Sequence, residues 1–174
     1  SATGVANVYG GNDIAGRVQG KEVAANTPIV IVDLKGGTIT GNVFGGGNGD
    51  YGCIDYSSCK FTESDESITT AEEFVGNSHA TFLTVPWVQR TVVNVIEQDA
   101  TNKPLTVGTI YGGGNKAGIG LGPDNSGNES DSIGSSTINL TAGTIGYVYT
   151  GGRMAPIYSS ATLNFTSGNK IHIE

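Results

Sequence analysis

Val107-Gly108-Thr109-Ile110-Tyr111-Gly112-Gly113-Gly114-Asn115 is one of several versions of a single phrase. Earlier ones are Val8-Tyr9-Gly10-Gly11-Asn12 and Val43-Phe44-Gly45-Gly46-Gly47-Asn48; a later, altered one is Val148-Tyr149-Thr150-Gly151-Gly152-Arg153. In each, a β-branched residue and an aromatic run into glycines and a polar residue. That order describes a strand end entering a tight turn. Recurrence at intervals of tens of residues is the mark of stacked repeats. Tyr9, Phe44, Tyr111 and Tyr149 hold one repeat position, so they are expected to form an aromatic ladder in or against the core.

The flanking strands repeat as well. Thr137-Ile138-Asn139-Leu140-Thr141-Ala142-Gly143 matches Thr162-Leu163-Asn164-Phe165-Thr166-Ser167-Gly168; Val32-Asp33-Leu34-Lys35-Gly36-Gly37 and Val93-Asn94-Val95 are further copies. Within each copy the apolar residues alternate, which sets Ile138, Leu140, Leu163, Phe165, Val32 and Leu34 on one face. Asn139, Asn164 and Asp33 fall on the other. One such unit cannot bury its apolar face alone, whereas stacked units share a continuous core. The expected fold is therefore all-β, a parallel β-solenoid (β-helix) with Gly-rich turns. A sandwich or an antiparallel meander is the competing all-β arrangement, but neither explains turn phrases that recur in register. The fourth phrase, with Thr150 and Arg153, argues against an unbroken ladder of Gly-Asn corners.

Composition supports this and narrows function. Gly supplies 28 of 174 residues, without a strict three-residue period, so collagen is excluded. A hydrophobic share of 37% can build a core, and a charged share of 14% leaves Thr, Ser and Asn to cover much of the surface. A net charge of −7 lacks the basic footprint that nucleic acid or an anionic membrane requires. No apolar run is long enough to span a bilayer. Residues 1–174 read as one repeat domain. Because Ile171-His172-Ile173-Glu174 looks like mid-strand, the chain is expected to stack with further repeats of a longer parent.

Two segments break the rhythm, about 51–89 and 118–135, and on a stacked fold such excursions leave from one flank and often carry function. The first holds an acidic stretch, a short helical turn expected over 70–75, and Cys53 and Cys59. Those two cysteines read either as a local disulfide, which would place the chain outside the cytoplasm, or as two reduced thiols. The second holds Asp124, Asn128 and Asp131, hard oxygen ligands that suit Ca²⁺, without EF-hand spacing; a flexible polar loop is the plainer reading. No other cofactor is indicated. Tyr51, Tyr56, Trp87, Tyr147 and Tyr158 are candidate aromatic platforms for a sugar, although Trp87 after Pro86 also suits a core cap. No Gly run ends as a phosphate loop, and neither His79 nor His172 accompanies a nucleophile motif, so no catalytic residue is assigned.

The phrases over residues 37–48 and 107–115 resemble repeats in large surface-exposed or secreted proteins of gut Bacteroidetes, of adhesin-type or polysaccharide-associated β-helix kind. The resemblance covers roughly half the chain and leaves out the 51–89 excursion. It implies an extracellular or cell-surface module without catalytic residues, whose partner is a glycan or a host surface protein. It also makes Ser132, in Asp131-Ser132-Ile133, similar to an O-glycosylation acceptor of exported proteins in that phylum. The alternatives are a carbohydrate-active lyase or hydrolase, which needs carboxylates converging with Arg90 or Arg153 in a cleft, and a purely structural stalk.

Overall fold

The structure, a computed structural model, describes residues 4–13, 17–18, 21–22, 28–49, 61–62, 67–68, 87–120, 134–155, 157, 159–166 and 171–173. Among these residues the chain is all-β. Its strands are β1 (Val5–Tyr9), β2 (Arg17–Val18), β3 (Lys21–Glu22), β4 (Pro28–Leu34), β5 (Gly37–Phe44), β6 (Phe61–Thr62) and β7 (Ser67–Ile68). They continue with β8 (Trp87–Val88), β9 (Arg90–Val95), β10 (Leu105–Tyr111), β11 (Ser135–Leu140), β12 (Gly143–Tyr149), β13 (Ser160–Phe165) and β14 (Ile171–Ile173).

Two five-stranded sheets dominate, in the orders β1-β5-β10-β12-β14 and β13-β11-β9-β4-β3. Every pairing in the first sheet is parallel, and in the second only β3 on β4 is antiparallel. A narrow parallel strip lies between them along the chain: Arg17 and Val18 pair with Trp87 and Val88, Val88 bridges Ile119, and Ile119 bridges Ile157. The chain thus passes along the first sheet, the strip and the second sheet, then repeats that circuit. β1-β2-β4, β5-β8-β9, β10-Ile119-β11 and β12-Ile157-β13 are four successive circuits, and β14 pairs on the first sheet again. β6 and β7 pair antiparallel as a separate two-stranded sheet.

The strand alternation read from sequence sets the register. Ile138 pairs with Leu163 and with Val93, and Val93 with Val32, so like residues lie over like. The inward side chains Leu34, Ile39, Val43, Val93, Val95, Leu105, Val107, Ile110, Ile138, Leu140 and Ile145 form one buried cluster between the sheets. Each contributes roughly 1.5–3 kcal/mol by leaving water. A smaller cluster of Val30, Val88 and Ile119 lies by the strip. Phe165 pairs with Leu140 and so keeps the face of the inner ladder; it is 57% exposed because it stands on the edge strand β13, with no described strand beyond it.

Glycine dictates how closely circuits approach where the first sheet ends. A Cβ at Gly45 would fall on the carbonyl oxygen of Gly112 in the next circuit. Two buried hydroxyls tie this corner to the second sheet. Thr91 Oγ1 donates to Gly112 O at 2.6 Å, and Ser136 Oγ to Thr150 O at 2.5 Å. Both hydroxyls are fully inside, and both find the partner a buried polar group requires.

The strip corrects the reach of both excursions. Trp87 and Val88 stand in β8, inside the span read as 51–89, and Ile119, fully buried, stands in the strip inside the span read as 118–135. The helical turn expected over 70–75 lies outside the described residues.

Candidate binding surfaces

The outer face of the first sheet is built from columns of side chains. Val8, Val43, Ile110 and Val148 pack inward, so the next residue of each strand turns outward. Those residues are Tyr9, Phe44, Tyr111 and Tyr149, and their rings stack in sequence. Centroids are 5.0, 5.0 and 5.1 Å apart, with interplanar angles of 6°, 8° and 13°. Parallel strands lie about 4.8 Å apart, so the register alone brings the rings face to face. Phe44, held between two rings, is 1% exposed, while Tyr149 at the end of the ladder is 49% exposed. The neighbouring column is Asn7, Asn42, Thr109 and Tyr147. Asn7 Oδ1 accepts from Asn42 N at 3.0 Å and from Asn42 Nδ2 at 3.2 Å. Tyr147 is 61% exposed, so the upper end of this face presents two tyrosines above amides and a threonine hydroxyl.

Two amide ladders flank the sheets. On the second sheet, Asn94 donates to Asp33 at 2.8 Å, Asn139 to Asn94 at 2.7 Å and Asn164 to Asn139 at 2.9 Å. At the glycine corner, Asn48 donates to Asp13 at 2.9 Å, Asn115 to Asn48 at 2.8 Å and Arg153 Nη1 to Asn115 Oδ1 at 3.3 Å. Both ladders begin on a carboxylate, which only accepts, and the corner ladder ends on a guanidinium, which only donates. Two expectations change here. Register set by the aromatics places Asp13, not Asn12, beside Asn48. Arg153 does not break the ladder; it joins it as a donor to Asn115.

A third feature is a cavity of about 640 Å³ where the second sheet returns to the first. Its walls are the turn after β4 and the loop between β9 and β10, and they include Lys35, Thr38, Gln98, Asp99, Asn102 and Lys103. Elsewhere this return takes residues 35–36, 141–142 or 166–170, but here it takes 96–104, the longest of the four. The excess chain is held by its own carboxylates. Asp99 Oδ1 accepts from Thr101 N at 3.2 Å and Asn102 N at 3.0 Å, and Asp99 Oδ2 from Asn102 Nδ2 at 3.1 Å. The Asn102 backbone and side-chain donors, opposed by slight desolvation and joined by Thr101 N, hold the Asp99 carboxyl below its ordinary 3.8. Glu97 Oε1 accepts from Leu105 N at 2.8 Å. Glu97 itself has φ +44°, the single positive φ outside glycine among the described residues.

Of the residues expected to bind a ligand, Tyr147 is described and exposed, and Trp87 is placed through its backbone in β8. Tyr51, Tyr56, Tyr158, Cys53, Cys59, Ser132 and the Asp124, Asn128 and Asp131 set lie outside the described residues. Among the described residues no group of three or more His, Cys, Asp and Glu is placed to hold a metal, and no helix is long and apolar enough to cross a membrane. Arg153 serves the corner ladder. Arg90 Nη1 is buried with no hydrogen-bond partner. Neither arginine forms an ion pair with a described carboxylate. The cavity went unread in sequence, although its signal, the long gap between Val95 and Leu105, was visible. The chain matches no protein-family model, no curated protein and no solved structure.

Proposed function

We propose that this chain is a β-solenoid module of a secreted or cell-surface protein, adhesin-like and non-catalytic, that holds a rigid face against a glycan. The reading rests on one observation above the others: Tyr147 and Tyr149 stand two residues apart on the outer face of a parallel sheet, in register with the amides and hydroxyl of Asn7, Asn42 and Thr109 and with the rings of Tyr9, Phe44 and Tyr111. Aromatic faces take the apolar side of a sugar ring, and neighbouring amides and hydroxyls take its hydroxyl groups. The registered ladders beneath keep these groups in place without a ligand, which lowers the ordering cost of binding. Repeated circuits also suit avidity, since further units of the same kind multiply weak contacts.

The test is a broad glycan array with the purified chain, run with calcium and then with chelator. Dose-dependent binding to one glycan class, weakened about tenfold (about 1.4 kcal/mol) by Tyr147→Ala, is the expected result. Loss under chelator would move the site to the loop carrying Asp124, Asn128 and Asp131. A blank array would leave a protein-binding adhesin or a stalk as the better account.

A further inference from the structure

The 96–104 loop is longer than the turn requires, and it is folded rather than slack. Besides the bonds made by Asp99 and Glu97, Lys103 N donates to Asp99 O at 2.8 Å, Gln98 N to Lys35 O at 2.8 Å and Gly37 N to Pro104 O at 3.0 Å. These bonds fasten the loop to the turn of the preceding circuit and fix the cavity between them. Glu97 combines that bond with a φ of +44°, a backbone conformation unfavourable outside glycine. Such outliers persist where the surroundings over-determine them, and they gather at binding sites.

The chemistry of the walls has a direction. Both oxygens of Asp99 accept from N–H groups of the loop, and Oε1 of Glu97 accepts from Leu105 N at the start of β10. Lys103 meets no described carboxylate within ion-pair distance. Lys35 Nζ lies 3.9 Å from Asp33 Oδ2, a pair with both side chains largely in water, and such pairs hold weakly. Lys103 therefore offers an ammonium with no described ion pair, and Lys35 one that is weakly held, beside the Asp99 carboxylate, the amides of Gln98 and Asn102 and the Thr38 hydroxyl.

We propose that this cavity is a second binding site, for a sugar unit carrying a carboxylate or sulfate. Lys35 and Lys103 take the anionic group, and Gln98, Asn102 and Thr38 take ring hydroxyls. The proposal rests on the glycan-binding reading for its ligand class, but it occupies a different corner from Tyr147 and Tyr149.

The test is an amide chemical-shift titration of the chain with oligogalacturonate, a sulfated oligosaccharide, a neutral oligosaccharide of matched length and inorganic sulfate. Shifts at Gln98, Asn102 and Lys103 with an acidic ligand, weakened at least tenfold in Lys35→Gln/Lys103→Gln and restored by Lys103→Arg, are expected. They should survive Tyr147→Ala and shrink with added salt. The carboxylated and sulfated arms decide which anion is preferred; a response to inorganic sulfate alone would mean an adventitious ion only and overturn the site. Equal shifts with the neutral sugar, or binding indifferent to both lysine changes, would overturn the proposal while leaving glycan recognition at the tyrosines standing. Acidic binding at this cavity together with a neutral face at Tyr147 would instead sink the earlier reading and keep this one.

Discussion

The chain leaves the first sheet through residues 10–13, 45–48, 112–115 and 150–153, and returns to it through 35–36, 96–104, 141–142 and 166–170. The exit corner is close to a copy in every circuit, while the return varies from two residues to nine. The difference lies in how circuits meet. At the exit, backbone lies on backbone: Gly45 N donates to Tyr111 O at 3.0 Å, Asn115 N to Gly47 O at 2.9 Å and Arg153 N to Gly114 O at 3.0 Å. No extra residue fits there without breaking the contact. At the return, the ends of the turn are tied and its middle is free to bulge. Sequence repetition marks where circuits touch, and length variation marks where a site can be built.

The largest break in that comparison comes from adding one methyl group. Gly45→Ala sets a Cβ against the Gly112 carbonyl, which is backbone and cannot step aside. The expected loss is about 3 kcal/mol or more, read from the urea midpoint. Gly151→Ala, which meets nothing within 4 Å, is the control and should change stability by less than about 0.5 kcal/mol. If both variants unfold alike, the close approach is not what fixes the exit corner.

Next in size is the amide ladder. Asn115 is 3% exposed, and Asn115→Ala leaves Asn48 Oδ1 without its donor and Arg153 without its acceptor. A cost of about 1–3 kcal/mol is expected. Asn102→Ala, in the return loop, removes exposed bonds only and should stay within about 0.5 kcal/mol while disturbing nearby amide shifts. Equal costs would mean that the two corners are held alike.

Gly37→Ala separates conformation from crowding. Gly37 has φ +95° and open space around its Cα, so the penalty is backbone strain alone, about 1–2 kcal/mol. Thermal melts that rank Gly45→Ala well below Gly37→Ala would support the distinction; equal melting points would erase it.

The same distinction explains what the sequence made legible. Offsets between copies such as Thr137 to Leu140 and Thr162 to Phe165 are direct images of register, because parallel stacking sets like over like. The ring stack followed from Tyr9, Phe44, Tyr111 and Tyr149 for the same reason. The strip did not show itself: Ile119 and Ile157 join it through single bridges, too short to leave a repeated phrase. Asp13 was missed because the first phrase has one glycine fewer, and only the aromatic anchors reveal that Asn12 stands with Gly47. The cavity was hidden for a different reason. The 96–104 loop has no second copy, and its order comes from Asp99 and Glu97 bonding to neighbours, which no periodicity reports.

That local order gives the smallest expected effect and the sharpest contrast. Donors on Thr101 and Asn102 favour the charged Asp99 carboxylate, so its folded-state pKa lies below the ordinary 3.8. A lowered carboxyl pKa supports the folded loop fully above that ordinary value, and the support fades as pH falls through the lower, folded one. Between neutral pH and about pH 4.5 the Thr101 and Asn102 amide resonances should therefore stay fixed, and below it they should move together with the Asp99 carboxyl. The resonance of Asn115 Nδ2 in the exit corner, which donates to the Asn48 amide, should hold over the same range. An Asp99 midpoint at or above its ordinary value would show that the carboxylate does not hold the loop, and the walls of the cavity would then lack the order that the binding proposal requires.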